Sequence, residues 1–382
     1  MRLLKLGVYY TTYLEQFYAR RPGLAAEPYA VQHAALIDDC FGSSDFWTRE
    51  LSRLSYETCD LVINAEPLQR AWAAERGQSF GDSGWLFEIT AAQVKDFGPD
   101  VLIVADYSTV TAAFLRHLKA VCPSIRLVLG WCGAPYNDDS VFEEWDVVLS
   151  CVPELVAHFR EQGHRSRHVN HAFEPRILDK LSAREGTAAA DFVFLGSLVR
   201  AERFHLGREK LLSRLVAETG LQIWAEVGPR PPSRLRRAAN FLRGRTTPQP
   251  SVDARIARRA RPPLFGLDMF RQLRAGRVAL NTHIDISTHS ASNMRLFEAT
   301  GVGACLLTDS KENLPQLFEP DAEVVAYRDA EECVEKVKYL LGHESQRRDI
   351  AAAGQRRTLR EHTFAARAAL IDDIIREELS VS

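Results

Sequence analysis

The feature that most restricts the fold of this chain is an alternation. Short apolar runs and amphipathic helical stretches follow one another along most of its 382 residues. The runs "VLIVA" at 101–105 and "LVLGW" at 127–131 contain no charged or hydrogen-bonding aliphatic side chain. A strand with one wet face alternates apolar and polar residues, whereas a strand apolar throughout is covered on both faces. Runs of this kind, spaced by helices, predict parallel sheets in an α/β protein.

The alternation comes in two series. The first occupies about 170 residues: strands "LLKLGVYY", "CDLVINA", "VLIVA", "SIRLVLGW" and "WDVVLSCV", with helices such as "EPLQRAWAAERG" and "TVTAAFLRHLKAVCP" between them. Gly77 closes one of these helices. The second series begins near residue 190 with "ADFVFLGSL", "GREKLLSRLVAETG" and "LQIWAEVG". It resumes after residue 263 with "GLDMFRQLRAG", "RVALNTH", "NMRLFEATGVGACLLTD" and "AEVVAY". The tail from Glu344 to Leu379 reads as helix throughout. The expected domains are 1–172 and 188–362, joined by a polar linker, with 363–382 as a C-terminal helix.

Composition narrows the function classes. A charge of −2 over the whole chain gives no reason to expect a nucleic-acid partner. No apolar run approaches the ~20 residues that span a bilayer, and the N-terminal apolar stretch reads as a first strand without a cleavage site. Seven cysteines are scattered, with no C-x-x-C pair and none at zinc spacing from histidine. They read as reduced thiols in a cytoplasmic protein. The local exception is 230–261, which holds ten arginines and one acid, Asp253, among six flanking and internal prolines at 231, 232, 248, 250, 262 and 263. Two readings stand: a surface insertion, or an electrostatic arm for anionic lipid or diphosphate, giving peripheral contact at the inner face of the membrane.

Several common sites are absent. There is no G-x-x-x-x-G-K-[ST], no H-E-x-x-H, no G-x-S-x-G and no Asp-x-Asp, so no metal is indicated. The "GVG" at 301–303 follows a helix rather than a strand, and reads as a helix stop. What remains is strand ends, where open parallel sheets bind ligands. One carries Gly196 and Ser197, then Arg200 and Arg203. A second carries Asn281, His283 and a hydroxyl-rich loop leading to Asn293. The third feature is a helix with Arg295 in its first turn and Glu298 one turn on. Backbone N–H groups and the dipole there suit an anion, and a carboxylate beside it suits vicinal hydroxyls. The plain alternative is a surface ion pair worth only ~0.2–0.5 kcal/mol.

"RLFEATGVGACLLTD" followed by "LPQLFEPDAEVVAY" resembles the C-terminal half of the GT-B glycosyltransferases, the glycosyl transferases group 1 C-terminal domain. The nearest branch is the one named after spore-maturation (CgeB-like) proteins. "LFGLDMFRQLRAGRVALNTH", "GQRRTLREHTF", "FGSSDFW" and "NAEPLQRAW" add to the resemblance, which is strongest over 263–365. It implies two Rossmann-like domains facing a cleft, with the last helix crossing back to the first domain. The second domain would bind a UDP-, GDP- or dTDP-sugar as co-substrate, with no cofactor and no metal. Glu298 would hold the ribose hydroxyls. Arg295 and the Gly196–Ser197 turn would lie near the diphosphate, and Phe265, Gly266 and Met269 near the base. The E-x7-E pattern of many retaining relatives is broken, because Ser290 stands at the first position.

The implied reaction is hexosyl transfer to a glycan, lipid-linked, protein or small-molecule acceptor bound by the first domain. An inverting enzyme needs a general base there. The candidates are His33, Asp38, Asp39, Asp138 and Asp139, and Asp39 is preferred. A sugar-nucleotide epimerase of the same fold and a non-catalytic sugar-nucleotide or glycan-binding module are the alternatives.

Overall fold

The computed structural model describes residues 1–182, 190–198, 205–227, 252–285 and 287–381. Arg200, Arg203 and most of the arginine-rich segment lie outside the described residues. The chain divides into two compact units, Met1–Glu174 with Thr363–Ser382, and Pro175–His362.

The first unit is built on six parallel strands: β1 Arg2–Gly7, β2 Glu57–Val62, β3 Val101–Val104, β4 Leu127–Trp131, β5 Val147–Ser150 and β6 Ser166–His168. Their order is β2-β1-β3-β4-β5-β6. All four residues of β3 and of β5 are buried, as the uninterrupted apolar runs require. One polar pair sits inside: Lys5 on β1 meets Asp60 on β2 at 2.7 Å, with Thr48 also bonded to Asp60. Because β1 connects to β2 on one side and the chain then crosses to β3 on the other, the direction of winding reverses between β1 and β3.

The second unit repeats the plan with β7 Ala190–Ser197, β8 Gln222–Glu226, β9 Ala260–Arg261, β10 Gly276–Leu280, β11 Cys305–Asp309 and β12 Val325–Tyr327. The order is β12-β11-β10-β7-β8-β9, so winding reverses between β7 and β10. The sheet is parallel throughout. The helices Leu206–Glu218 and Ala330–Gly342 pack into one apolar cluster with Phe192, Val278, Leu280 and Leu307. All seven cysteines are free thiols, and no described helix is long and apolar enough to cross a membrane.

Two elements differ from the sequence expectation. Part of the basic stretch is ordered structure: Ala254–Arg259 is a helix and Ala260–Arg261 is the edge strand β9. Val252, Ile256, Ala257 and Ala260 enter the core, and Asp253 caps the helix through the N–H of Arg255. Its arginines masked this thin apolar face. The C-terminal tail is not one helix but two, Glu344–Glu361 and Phe364–Val381. The break falls where the chain leaves the second unit. His362 bonds the carbonyl of Leu317, and the N–H of Phe364 donates to the carbonyl of Phe173.

The last helix is an integral part of the first unit. Phe364, Ala368, Ile371, Ile374 and Ile375 are buried at helical spacing. Tyr56 donates to Asp372 at 2.7 Å, and Arg165 pairs with Glu378 at 2.5 Å. Truncating Ile375, which is fully buried, should therefore cost ~2–5 kcal/mol. The same change at Leu370, 38% exposed on the opposite side, should cost under ~0.5 kcal/mol. Urea denaturation of I375A and L370A checks the difference. Equal midpoints would mean that this helix adds nothing to the unit's stability.

Candidate functional site

In open α/β sheets the crevice for a ligand opens where winding reverses, beyond the carboxyl ends of the strands. In the second unit this is the gap between the ends of β7 and β10. Gly196 and Ser197 are not a turn there but the last two residues of β7, paired with Ala225 and Glu226 of β8. A Cβ on Gly196 would come within 2.9 Å of the Phe194 ring. Just past β10 come Asn281, Thr282 and His283, all buried.

The side chain that joins the two strand ends is one the sequence reading passed over. Arg208, in the first turn of the helix Leu206–Glu218, donates to the carbonyl of Ser197 at 2.9 Å and to that of Thr282 at 2.8 Å. It also lies 2.9 Å from His205 Nε2. Burial, followed by the nearby Arg208 charge, pushes the His205 imidazole down to about 4, so it is neutral and accepts. Arg208 is 8% exposed, and among the described residues its Nε has no hydrogen-bond partner. Among the described residues no carboxylate pairs with it, and burial lowers its guanidinium to about 10. Its hydrogen-bond partners are neutral, and Asp309 and Asp285 oppose the effect of burial only through space; a buried cation without a contacting anion is costly. The signal was present in "GREKLLSRL". Arg208 stands at i with Leu211, Leu212 and Leu215 at i+3, i+4 and i+7, a charge on the apolar face.

The rest of the strand-end layer is a hydrogen-bond network. Asn293 Nδ2 donates to Asn281 Oδ1 at 2.8 Å and to the Thr282 carbonyl at 3.3 Å. Asn281 donates in turn to Thr308, and Tyr327 donates to the Asn281 carbonyl. His283 Nδ1 lies 2.7 Å from Asp309 Oδ1, and Lys311 lies 3.4 Å from the other oxygen. Lys311 and Asn313 hold the hydroxyl-rich loop by the carbonyls of Ser287 and Ala291. An open pocket of about 420 Å³ lies against Thr282, Asp309 and Tyr327, with Lys210 and Arg214 on its other wall.

The helix Arg295–Gly301 is short, and its first N–H groups are not free as the sequence suggested. Those of Leu296, Phe297 and Glu298 bond to the carbonyls of Asn293 and Met294. The expected anion cradle at this helix start is thus already filled by backbone. Gly303, at φ +83°, ends the segment. Arg295 and Glu298 do form the i,i+3 pair, at 2.8 Å, but it is no surface pair. Glu298 is 7% exposed. Burial raises its carboxyl, and Arg295 opposes that rise. The other contact of Arg295 is Met269 Sδ at 3.1 Å, which brings the helix Gly266–Ala275 alongside. Gly266, at φ +53°, opens that helix in a left-handed conformation, with Phe265 half-buried before it.

In the first unit the acids are mostly committed. Asp39 pairs with Arg21 at 3.1 Å and accepts from Tyr13 at 3.1 Å. Tyr13 packs on Tyr9, two residues beyond β1, so Asp39 belongs to the layer past the carboxyl end of that strand. His33 bonds the Asp60 carbonyl, Asp138 accepts the N–H of Ser140, and Asp38 and Asp139 are exposed. Asp106, which the sequence reading did not raise, lies two residues past β3 at the reversal and accepts from Ser108 and Thr109. Among the described residues no three His, Cys, Asp or Glu side chains converge as a metal site.

Residues 209–373 match the family model described as glycosyl transferase-like. No curated protein sequence matches the chain. Among solved structures, sucrose-phosphate synthase from Thermosynechococcus elongatus is similar with a TM-score of 0.57 at 11% identity, each chain covered over 100% of its length. A glycosyltransferase from Rickettsia africae gives 0.55 at 10%, covering 100% of this chain and 99% of that one. Anabaena HepE in complex with UDP and glucose gives 0.56 at 12%, covering 99% and 100%. At these identities the likeness establishes the fold, which is GT-B.

Asp309 has a measurable signature. Burial pushes its carboxyl up, but His283, above all, and Lys311 more than offset this and hold it below the ordinary value. A depressed carboxyl adds stability that is complete above the unfolded value of ~3.9 and lost as pH falls through the folded one. Stability measured by urea denaturation from pH 6 down to pH 3 should fall less steeply in Asp309→Asn than in wild type. An unchanged acid limb would mean that the His283–Asp309 contact does not form in solution.

Proposed function

We propose that this chain is a glycosyltransferase that takes a sugar from a nucleoside-diphosphate sugar, with the donor bound by the second unit. The observation that carries the reading is Arg208, a buried cation bridging the ends of β7 and β10 whose hydrogen-bond partners are all neutral. A diphosphate supplies the contacting anion that Asp309 and Asp285, acting on Arg208 only through space, do not. The glycosyl transferase-like match over 209–373 supports the same reading, as does the fold shared with a protein solved with UDP and glucose.

In this reading the diphosphate lies at Gly196–Ser197 and Arg208, with Arg200 and Arg203 from the following residues. Arg208 and Arg295 face the negative charge that builds on the leaving group. Prearranged cations in a dry site do this without reorganising at the moment of reaction. Side-chain cations carry the charge, so the reaction is metal-independent. Asn293 holds the two strand-end residues Asn281 and Thr282 in place. Glu298, freed from Arg295 or sharing it, accepts the vicinal ribose hydroxyls. Phe265 and Gly266 lie at the base. The acceptor binds the first unit. For inversion, Asp39 or Asp106 is the base, and Asp39 must first release Arg21 and Tyr13.

Thermal denaturation with UDP, GDP, dTDP and CDP and their sugar forms tests the donor site. A matched nucleotide at 100 times its dissociation constant should add ~2.7 kcal/mol. Arg208→Gln should lose the gain from the diphosphates but keep that from the free nucleoside. Glu298→Ala should weaken both. Release of nucleoside diphosphate that depends on an added acceptor identifies a transferase. Conversion of the donor alone identifies an epimerase, and binding without turnover a sugar-nucleotide-binding module. No nucleotide-dependent shift in a cooperatively melting protein overturns the proposal.

A further inference from the structure

The first unit has its own winding reversal, between β1 and β3, and so its own crevice past the carboxyl ends of those strands. Tyr10 stands just beyond β1 and is 68% exposed, more than any other large hydrophobic residue described. It is also an ill-suited residue for its backbone position. Tyr10 is the N-cap of the helix Thr11–Ala19, in an extended conformation, and its side chain makes no capping hydrogen bond. A serine, threonine, aspartate or asparagine there would bond a free N–H of the first turn. An exposed aromatic in that place breaks a local rule without a packing gain, which is the mark of a functional position.

A lone exposed ring would need no explanation, but this one is the outer member of a built cluster. Tyr10 lies edge-on to Phe41, with centroids 5.5 Å apart. Phe41 stacks on Tyr13 at 3.8 Å and meets Tyr9 edge-on at 5.1 Å. Tyr9 and Tyr13 are buried. The backbone is pinned as well: the N–H of Tyr9 donates to Asn64 Oδ1 at 2.9 Å, and Asn64 Nδ2 donates to the Tyr9 carbonyl at 2.6 Å. Tyr10 is thus an exposed ring on a fixed base.

The charges of this layer are mainly carboxylates. Burial first, then Asp60 and Asp45, holds the Tyr9 hydroxyl above its usual range, and burial followed by Asp39 does the same to Tyr13. Lys5 and Arg21 are paired with Asp60 and Asp39. Asp106 follows Ala105, whose N–H donates to the Leu6 carbonyl at the reversal itself. It is met by the N–H groups of Ser108 and Thr109 and by the Ser108 hydroxyl, none of them a cation. The crevice of the second unit collects Arg208, Arg295 and Lys311, whereas this one collects aromatic rings and acids.

We propose that Tyr10, backed by Phe41, is the stacking face for an uncharged pyranose ring, so that the acceptor is a neutral glycan or glycoside rather than a phosphorylated or diphosphate-linked one. Calling this sugar the acceptor rests on the transferase reading; the stacking face itself does not. A pyranose presents polarised C–H groups on its faces and hydroxyls around its edge. The first suit the negative face of an aromatic ring, and the second donate to carboxylates. An acidic crevice disfavours a phosphate or a second carboxylate. The cluster also ties the stacking face to the base candidate, because Phe41 stacks on Tyr13 and Tyr13 donates to Asp39.

The test is saturation-transfer NMR on the full chain, with methyl β-D-glucopyranoside, methyl β-D-galactopyranoside and methyl α-D-mannopyranoside as probes. The 6-phosphates of glucose, galactose and mannose are the charged counterparts. At least one neutral glycoside should bind, with saturation strongest on the C–H protons of one ring face, and its phosphate should bind about tenfold more weakly. Tyr10→Phe should bind as the wild type does. Tyr10→Ser should bind about fivefold to tenfold more weakly, yet melt no lower than the wild type, because serine caps the helix. Both variants should keep the stabilisation by nucleoside diphosphate. Sugar phosphate bound as tightly as the neutral sugar, binding unchanged in Tyr10→Ser, or failure of all three neutral glycosides to bind overturns this proposal and leaves the donor site standing. A lower melting temperature in Tyr10→Ser also overturns it, since the ring would then be kept for stability. Nucleotides that fail to stabilise the wild type while a neutral glycoside still binds overturn the transferase reading and leave the stacking face.

Discussion

The second unit is organised around a guanidinium whose hydrogen-bond partners are all neutral. Arg208 is held by two carbonyls and a neutral imidazole at the point where the sheet reverses its winding. These groups solvate the cation without neutralising it by contact. It stitches β7 to β10 across the reversal, and it keeps a positive field at the one place where the topology leaves a crevice. The surrounding network of Asn281, Asn293, Thr308 and Tyr327 fixes the carbonyls that Arg208 needs.

Glu298 and Asp309 show how environment divides one chemistry into two roles. Glu298 meets a single cation and is otherwise walled in, so burial dominates and its carboxyl rises. Asp309 is half-buried, and a histidine and a lysine converge on it, so it falls. The first is suited to accepting hydroxyls and exchanging partners. The second is a permanent anion that orients an imidazole. A pair i,i+3 on a helix looks the same in sequence whether it is wet or dry. Here it is dry, which removes the plain reading of a solvated surface pair.

The architecture was legible in the sequence because burial on both faces leaves a mark that survives without neighbours. Wholly apolar runs such as Val101–Val104 became central parallel strands. The edge of the second sheet was not legible. At β9 only two residues pair, and their neighbours Arg255, Arg258 and Arg259 outweigh a thin apolar face. The break at His362 was equally hidden. No glycine or proline marks it, and it exists only because the chain changes units there.

The site divides along the same line. Sequence alone determined which strand ends carry polar residues, and that Arg295, Glu298, His283 and Asn293 belong to one stretch of chain. It did so because covalent spacing on a helix or past a strand is a local property. Tertiary structure decided what those residues meet. It brought Arg208 from a neighbouring helix onto the carbonyls of two strands 85 positions apart, between Ser197 and Thr282. It set Asp309 against His283 across 26 positions. Those are contacts between elements distant in the chain, and only packing the sheet and its helices defines them.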